Sequence, residues 1–188
     1  MSKIDRRAIA LASRDSLAAD RRAAAAETIA ARGLPIEIAP NSVVSGFWPI
    51  RSEIDPRPLM KMLQKQGARL VLPVIGARDV PLIFRIWAND ADLQRGPLGI
   101  FQPPDEAEQF APDIVLVPLA AFDRFGHRIG YGAGLYDRTL TELRAQKTIV
   151  AIGIAFAVQE IDRVPAADHD ARLDFMLTES EIIDFRSL

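Results

Sequence analysis

The stretch Phe122–Arg138, FDRFGHRIGYGAGLYDR, concentrates the residue types of an anion-binding site. Gly126, Gly130, Gly132 and Gly134 fall within nine residues, framed by Arg124, Arg128 and Arg138, with Asp123 at one end and Asp137 at the other. Glycines at this density let the backbone enter the left-handed region and turn successive N–H groups toward one point. Such a nest, run into a helix N-terminus, binds phosphate, and arginines complete the cradle with charge-assisted hydrogen bonds. A carboxylate beside a phosphate is repulsive unless a cation lies between them, so Asp137 points to a nucleotide bound with Mg2+. The motif is not a P-loop, since no Lys-Ser/Thr follows the glycines. Nor is it a dinucleotide fingerprint, since the glycines read G-x-G-x-G and a long loop separates them from the preceding strand. On the residues alone a second reading stands beside this one: a tight turn before a helix, with surface arginines.

The elements that must position this loop read as alternating α and β. Residues 3 to about 32 are alanine-rich and helical, with a break near Ser13–Ser16 and a stop at Gly33 and Pro35. Strands are expected at Val43–Trp48, Leu70–Val74, Leu82–Trp87, Ile114–Val117, Ile149–Ala155 and Phe175–Thr178. A helix capped by Asp55, with Pro56 at its first position, carries Leu59, Met60 and Leu63 on one face and stops at Gly67. Another helix runs from about Gly134 to Gln146. Residues 88–112, rich in Pro, Gly, Asp and Gln, read as a long and therefore functional loop. This pattern predicts one domain over residues 1–188, with a mostly parallel sheet covered on both faces and ligands beyond the carboxyl ends of its strands.

Composition narrows the chemistry. The net charge is −2 with no basic block, so an anion site must be local and nucleic-acid binding is disfavoured. The absence of cysteine excludes disulfides, thiolate metal sites and a cysteine nucleophile, and two histidines make a poor zinc site. No apolar run suits a membrane span and no signal-type segment opens the chain, so the expected setting is the cytoplasm, with no membrane partner.

The glycine stretch resembles the signature of the 5-formyltetrahydrofolate cyclo-ligase (methenyltetrahydrofolate synthetase) family, close to AFD-x-x-G-x-R-[LI]-G-x-G-x-G-[YF]-Y-D-R. It stands here as Ala121-Phe122-Asp123, Gly126, Arg128-Ile129-Gly130, Gly132, Gly134 and Tyr136-Asp137-Arg138. The resemblance extends over nearly the whole chain. It implies a three-layer α/β/α fold of the type shared with sugar-phosphate isomerases and CoA transferases. The activity implied is ATP-dependent cyclisation of 5-formyltetrahydrofolate to 5,10-methenyltetrahydrofolate, with ATP and Mg2+ required, a small-molecule folate as substrate, and a monomer as the working unit. Catalysis would fall to Arg128 and Asp137. Arg128, Gly130, Gly132, Gly134, Tyr136 and Arg138 would hold the nucleotide.

Four further landmarks gain meaning from this resemblance. Lys3 and Arg7 lie four apart on one helix face; alone they read as a solvated face, whereas the family's Lys-x-x-x-Arg pair reaches the nucleotide phosphates. Arg14, two turns beyond Arg7, is a weaker phosphate candidate. Glu53, alone a surface or capping residue, matches a folate-contacting Glu; its carboxylate can accept two N–H bonds from the aminopyrimidine edge of a pterin. Phe47, Trp48, Tyr131 and Tyr136 are the expected substrate walls, with Phe84, Trp87 and Phe101 as further apolar candidates or core residues. Asp170, in the run from Val164 to Asp170, matches a metal-associated Asp and would hold Mg2+ with Asp137; His169 reads better as a cap than as a base. This chain departs from the family at Gln102, where Glu is usual and which is given no charge role. It departs again at Tyr131, Ala133 and Leu135, where many members carry Arg or Lys at the first two positions and an aromatic at the third. Two alternatives remain: another enzyme of the sugar-phosphate isomerase type, which leaves Lys3 and Arg7 unexplained, and a non-catalytic folate- or nucleotide-binding homologue. A degenerate site would have lost charged landmarks, yet Lys3, Arg7, Glu53, Arg128, Asp137 and Asp170 all persist.

Overall fold

Residues 1–76, 79–88, 90–167 and 169–187 are described by a computed structural model. In chain order its strands are β1 (Val43–Ser45), β2 (Arg69–Val74), β3 (Ile83–Ile86), β4 (Gln94–Arg95), β5 (Phe101–Gln102), β6 (Ile114–Pro118), β7 (Ala121–Phe122), β8 (Arg128–Ile129), β9 (Val150–Ile154), β10 (Phe175–Leu177) and β11 (Ile182–Asp184). The helices are α1 (Lys3–Asp15), α2 (Ala19–Arg32), α3 (Arg57–Lys65) and α4 (Leu135–Gln146).

Alternate residues of the central strands enter two different cores. Val44, Leu70, Leu72, Leu116, Ile152 and Ile154 pack with Ile29 of α2 and with Leu59, Met60 and Leu63 of α3. Val43, Val71, Val115, Val117 and Ala151 pack on the other side with Leu140 and Leu143 of α4. This is the period-2 pattern of a sheet buried on both faces, and it gives the expected three layers. Among the described residues the sheet has seven strands in the order β11-β10-β9-β6-β1-β2-β3. The five central strands are parallel, and β3 and β11 close the edges antiparallel.

The chain leaves β1 through α3 to β2 on one side, then returns to β6 on the other side of β1. Neighbouring strands β1 and β6 therefore send their following segments in opposite directions, which opens a crevice at their carboxyl ends. The segment after β1 carries Phe47, Trp48 and Glu53, and the segment after β6 carries the glycine loop.

Helix α1 does not cover the sheet. It packs through Ala10 on the β7–β8 hairpin and on Val164, in a small third core with Ala121 and Ile129. Its N-terminus is a capping box between Ser2 and Asp5. Helix α3 begins one residue later than the sequence predicts, with Pro56 at the cap; Asp55 still accepts the Arg57 N–H at 3.0 Å and binds the Arg57 guanidinium at 2.6 Å. The long loop of residues 88–112 holds the β4–β5 hairpin and two single 3-10 turns.

The β7–β8 hairpin is held by one side chain. Asp123 is fully buried (0% exposed); its Oδ1 accepts the N–H groups of Phe125 at 2.9 Å and His127 at 3.0 Å, and its Oδ2 accepts that of Val164 at 2.9 Å. Gly126 takes φ +82° in this turn, and a Cβ there would lie 3.2 Å from the Leu173 carbonyl oxygen, so both conformation and space demand glycine. Asp123 thus fixes the strand that carries Arg128. Asp123→Ala leaves these N–H groups without their carboxylate and is expected to cost about 3 kcal/mol of stability. Urea unfolding would read this as a lower midpoint at unchanged slope.

Candidate active site

Two cavities meet at the crevice and share a wall made of Arg128, Gly130, Ala133, Gly134 and Asp137. One is an open cleft of about 830 Å3 that runs from α1 to α4 and takes in Lys3, Arg7, Arg138 and Asp170. The other is a narrower, mostly apolar cavity of about 240 Å3, walled by Phe47, Trp48, Ile75, Leu82, Ile100 and Leu135.

The charged cleft is built around the loop of residues 130–134. Gly132 (φ +106°) and Gly134 (φ +63°) take the left-handed conformation that the sequence predicts, while Gly130 does not. Gly134 is the N-cap of α4, and no side chain caps that helix, so its first-turn N–H groups are left for an anion. Two arginines bind the loop by its carbonyls: Arg7 Nε donates to Gly130 O at 2.8 Å, and an Arg138 Nη donates to Ala133 O at 2.6 Å. The loop's acceptors are thereby occupied by cations. Arg138 Nε is buried with no hydrogen-bond partner among the described residues. Arg128 is 5% exposed, with one Nη 2.7 Å from Asp137 Oδ1 and the other on the Ala171 carbonyl. Burial pushes its pKa down, and the Asp137 carboxylate opposes that shift.

Asp137 and Asp170 line the same cleft. Lys3 Nζ sits 2.8 Å from Asp170 Oδ2, which also accepts the Ala167 N–H at 2.9 Å. Burial pulls the Asp170 pKa up, but Lys3 and the Ala167 amide outweigh it and hold the carboxyl below its ordinary value. The Ala171 N–H donates to Asp137 Oδ1 at 3.2 Å, which brings the residue after Asp170 against Asp137. Among the described residues Asp137 Oδ2 and Asp170 Oδ1 accept no hydrogen bond. Two such oxygens suit a hard cation whose other ligands are phosphate and water; no cluster of three or more metal-binding side chains occurs among the described residues.

Polar groups in the apolar cavity are few. Glu53 Oε2 accepts the Ile50 N–H at 2.8 Å. Burial raises the Glu53 pKa, against opposition from the Tyr131 hydroxyl, the Ile50 amide and Arg14. Tyr131 and Tyr136 both have raised pKa values, from burial first and the Glu53 charge second, so both phenols stay protonated. Trp48 is held edge-on against Trp87 (centroids 6.4 Å apart), beside Phe101 (5.5 Å) and under the Arg57 guanidinium (4.6 Å).

Several readings of the sequence need correction here. Of the two readings left open for Phe84, Trp87 and Phe101, core packing holds for Phe84 and Trp87, and Phe101 packs on Trp48; none lines the cavity. The wall comes instead from aliphatic residues at strand ends and in the long loop, Ile75, Leu82 and Ile100. Gln102 faces the cavity, a polar lining residue that sequence reasoning set aside once its charge was missing. Arg124 does not frame the nest: it pairs with Glu160 at 2.7 Å and Glu181 at 2.6 Å. Arg14 is buried away from the charged cleft. His169 lies on the cleft rim with its side chain exposed, while Asp168 falls outside the described residues.

The sequence model of the 5-formyltetrahydrofolate cyclo-ligase family matches residues 2–179. The 5-formyltetrahydrofolate cyclo-ligase of Escherichia coli (strain K12) is 31% identical over 144 residues, covering 74% of this chain and 79% of that protein. The Mycolicibacterium smegmatis enzyme of the same name is 34% identical over 143 residues, 72% of each chain. Among solved structures, the 5,10-methenyltetrahydrofolate synthetase of Aquifex aeolicus superposes with a TM-score of 0.82 at 28% identity, covering 99% of this chain and 94% of that one. That of Mycoplasma pneumoniae gives 0.72 at 26% identity, with 95% and 99% covered.

A carboxyl whose pKa is raised by folding binds protons better in the folded state, so its charged form costs stability above that pKa. Removing the charge at neutral pH should therefore relieve the fold. Glu53→Gln is expected to keep or raise the melting temperature at pH 7.5 and to lose that advantage as the pH falls through the Glu53 pKa. Differential scanning calorimetry across pH checks this; a clear drop in melting temperature at pH 7.5 would contradict it.

Proposed function

The chain belongs to the 5-formyltetrahydrofolate cyclo-ligase family, and we propose that its paired cavities hold the two substrates of that activity. The reaction is ATP-dependent cyclisation of 5-formyltetrahydrofolate to 5,10-methenyltetrahydrofolate, with release of ADP and phosphate. The observation that carries the assignment of sites is the shared wall. A phosphate nest and a ring-sized apolar cavity with a carboxylate meet at Arg128 and Asp137, where phosphoryl transfer between the two ligands would occur.

In this reading the folate ring enters the apolar cavity between Phe47, Trp48, Tyr131 and Tyr136, and Glu53 accepts N–H bonds from its aminopyrimidine edge. Gly130, Gly132 and Gly134 with the start of α4, together with Lys3, Arg7, Arg128 and Arg138, take the ATP side, whereas Tyr136, expected from the sequence to serve both ligands, lines only the apolar cavity. The formyl oxygen attacks the γ-phosphorus, and the bond to the ADP oxygen breaks. N10 then adds to the activated carbon and loses its proton, and the carbon–oxygen bond breaks to release phosphate. No protein nucleophile is required, in keeping with a chain that has no cysteine. The protein contributes alignment and charge at the transferring group, and Arg128 at the shared wall is the residue best placed for the second. Asp137 and Asp170 would hold Mg2+, which when bound supplies charge neutralisation of the nucleotide phosphates. The working unit in this reading is a monomer in the cytoplasm.

Purified protein given 5-formyltetrahydrofolate and ATP-Mg2+ should develop the methenyl chromophore with stoichiometric ADP. Product forming equally fast without ATP, or not at all, would sink the assignment. Glu53→Gln should weaken folate binding by roughly 1.5–3 kcal/mol with little change for ATP, as read by calorimetry. Asp137→Asn should blunt the Mg2+ dependence of the initial rate while sparing metal-free nucleotide binding. Arg128→Ala should do the reverse and lose nucleotide affinity directly. A wild-type Mg2+ titration curve in Asp137→Asn would return that residue to a purely structural part.

A further inference from the structure

Arg14 takes no part in the reading above, yet it is 4% exposed, the most buried charged side chain of α1. Its Nε donates to Ser52 Oγ at 3.0 Å, and an Nη donates to the Tyr131 hydroxyl at 2.7 Å. Its nearest carboxylate is that of Asp15 at 3.5 Å, which lies in solvent and accepts a hydrogen bond from the Ser52 hydroxyl. From α1 this guanidinium therefore reaches the segment after β1, one residue before Glu53, and the middle of the glycine loop. Stability alone gives little reason for it, because burying a guanidinium costs several kcal/mol and an apolar residue of similar volume often serves as well or better.

Tyr131 explains what the guanidinium holds. The phenol oxygen accepts from Arg14, and its one proton has the Leu119 carbonyl as acceptor at 3.3 Å. The aromatic ring also lines the apolar cavity. One chain of contacts thus runs Ser52–Arg14–Tyr131 and ties the segment after β1, at the residue before Glu53, to the glycine loop.

We propose that Arg14 is a positioning residue for the reaction: through Ser52 and Tyr131 it holds the segment that carries Glu53 and the glycine loop in register. The folate edge and the phosphate nest are then kept at one spacing. The proposal rests on the assignment of the two cavities to folate and ATP.

The test is steady-state kinetics of methenyl formation with Arg14→Met and Tyr131→Phe, alone and together, alongside melting temperatures and calorimetry of metal-free ADP. Arg14→Met should lower kcat/KM for the folate roughly 10–100-fold, the scale of a lost charged hydrogen bond. Its melting temperature should be unchanged or higher, and ADP affinity should stay within about twofold because the phosphate ligands are untouched. Tyr131→Phe should lower kcat/KM for the folate about tenfold, and adding it to Arg14→Met should cost almost nothing more. A wild-type folate kcat/KM in Arg14→Met, or effects of the two substitutions that simply multiply, would overturn the proposal. Should Arg14→Met fail to fold, Tyr131→Phe decides alone, and a wild-type kcat/KM there overturns it equally. A wild-type protein that forms no methenyl product removes the substrate assignment and this proposal together, whereas an active wild type with unaffected variants removes this proposal only.

Discussion

The pairing of the buried Arg128 guanidinium with Asp137 at 2.7 Å is the interaction around which the site is arranged, because each charge lowers the cost of burying the other. The two residues flank the glycine loop, one on β8 and the other in the first turn of α4. Their contact closes the loop into a ring whose backbone has few ways to move. The same pair forms the partition between the two cavities, so the charge that shapes the loop also stands where the two cavities meet. Its geometry is inherited in turn from Asp123, which fixes the hairpin that carries Arg128.

The sheet decides where this machinery can be placed. Reversal of strand order at β1 and β6 creates one crevice, and both site segments emerge there. Helix α1 is then freed from covering the sheet and packs on the hairpin, which brings Lys3 and Arg7 to the cleft and Arg14 behind it. A helix that reads as an ordinary amphipathic element is in effect one wall of the site.

Much of this was legible in the residues. Alternating aliphatic runs gave the strands, because burial on both faces leaves a continuous apolar pattern. Glycine density with arginines gave the loop and its place before α4, because few other uses need left-handed backbone beside fixed cations. The β7–β8 hairpin was not legible: its strands are two residues long and owe their form to the Asp123 side chain rather than to propensity. Arg14 was misplaced because helical spacing puts it in line with Arg7, while its true partners, Ser52 and Tyr131, are 38 and 117 residues away. The cavity wall was misread for a similar reason. Aromatic residues announce themselves in a sequence, whereas Ile75, Leu82 and Ile100 become a wall only when three strand ends and a loop converge.

The Lys3–Asp170 pair joins positions 167 residues apart and draws a late segment of the chain against its first helix. The five parallel strands lie between residues 43 and 177, so a sheet can be laid down while one side of the cleft is still missing. Loop closure over such a span is among the slowest and least local events in assembling a domain. Competence for chemistry would therefore arrive after the architecture. After trimming of the first few residues, which removes Lys3 and leaves every strand, the population to look for is a protein that is folded by every spectroscopic measure and still silent.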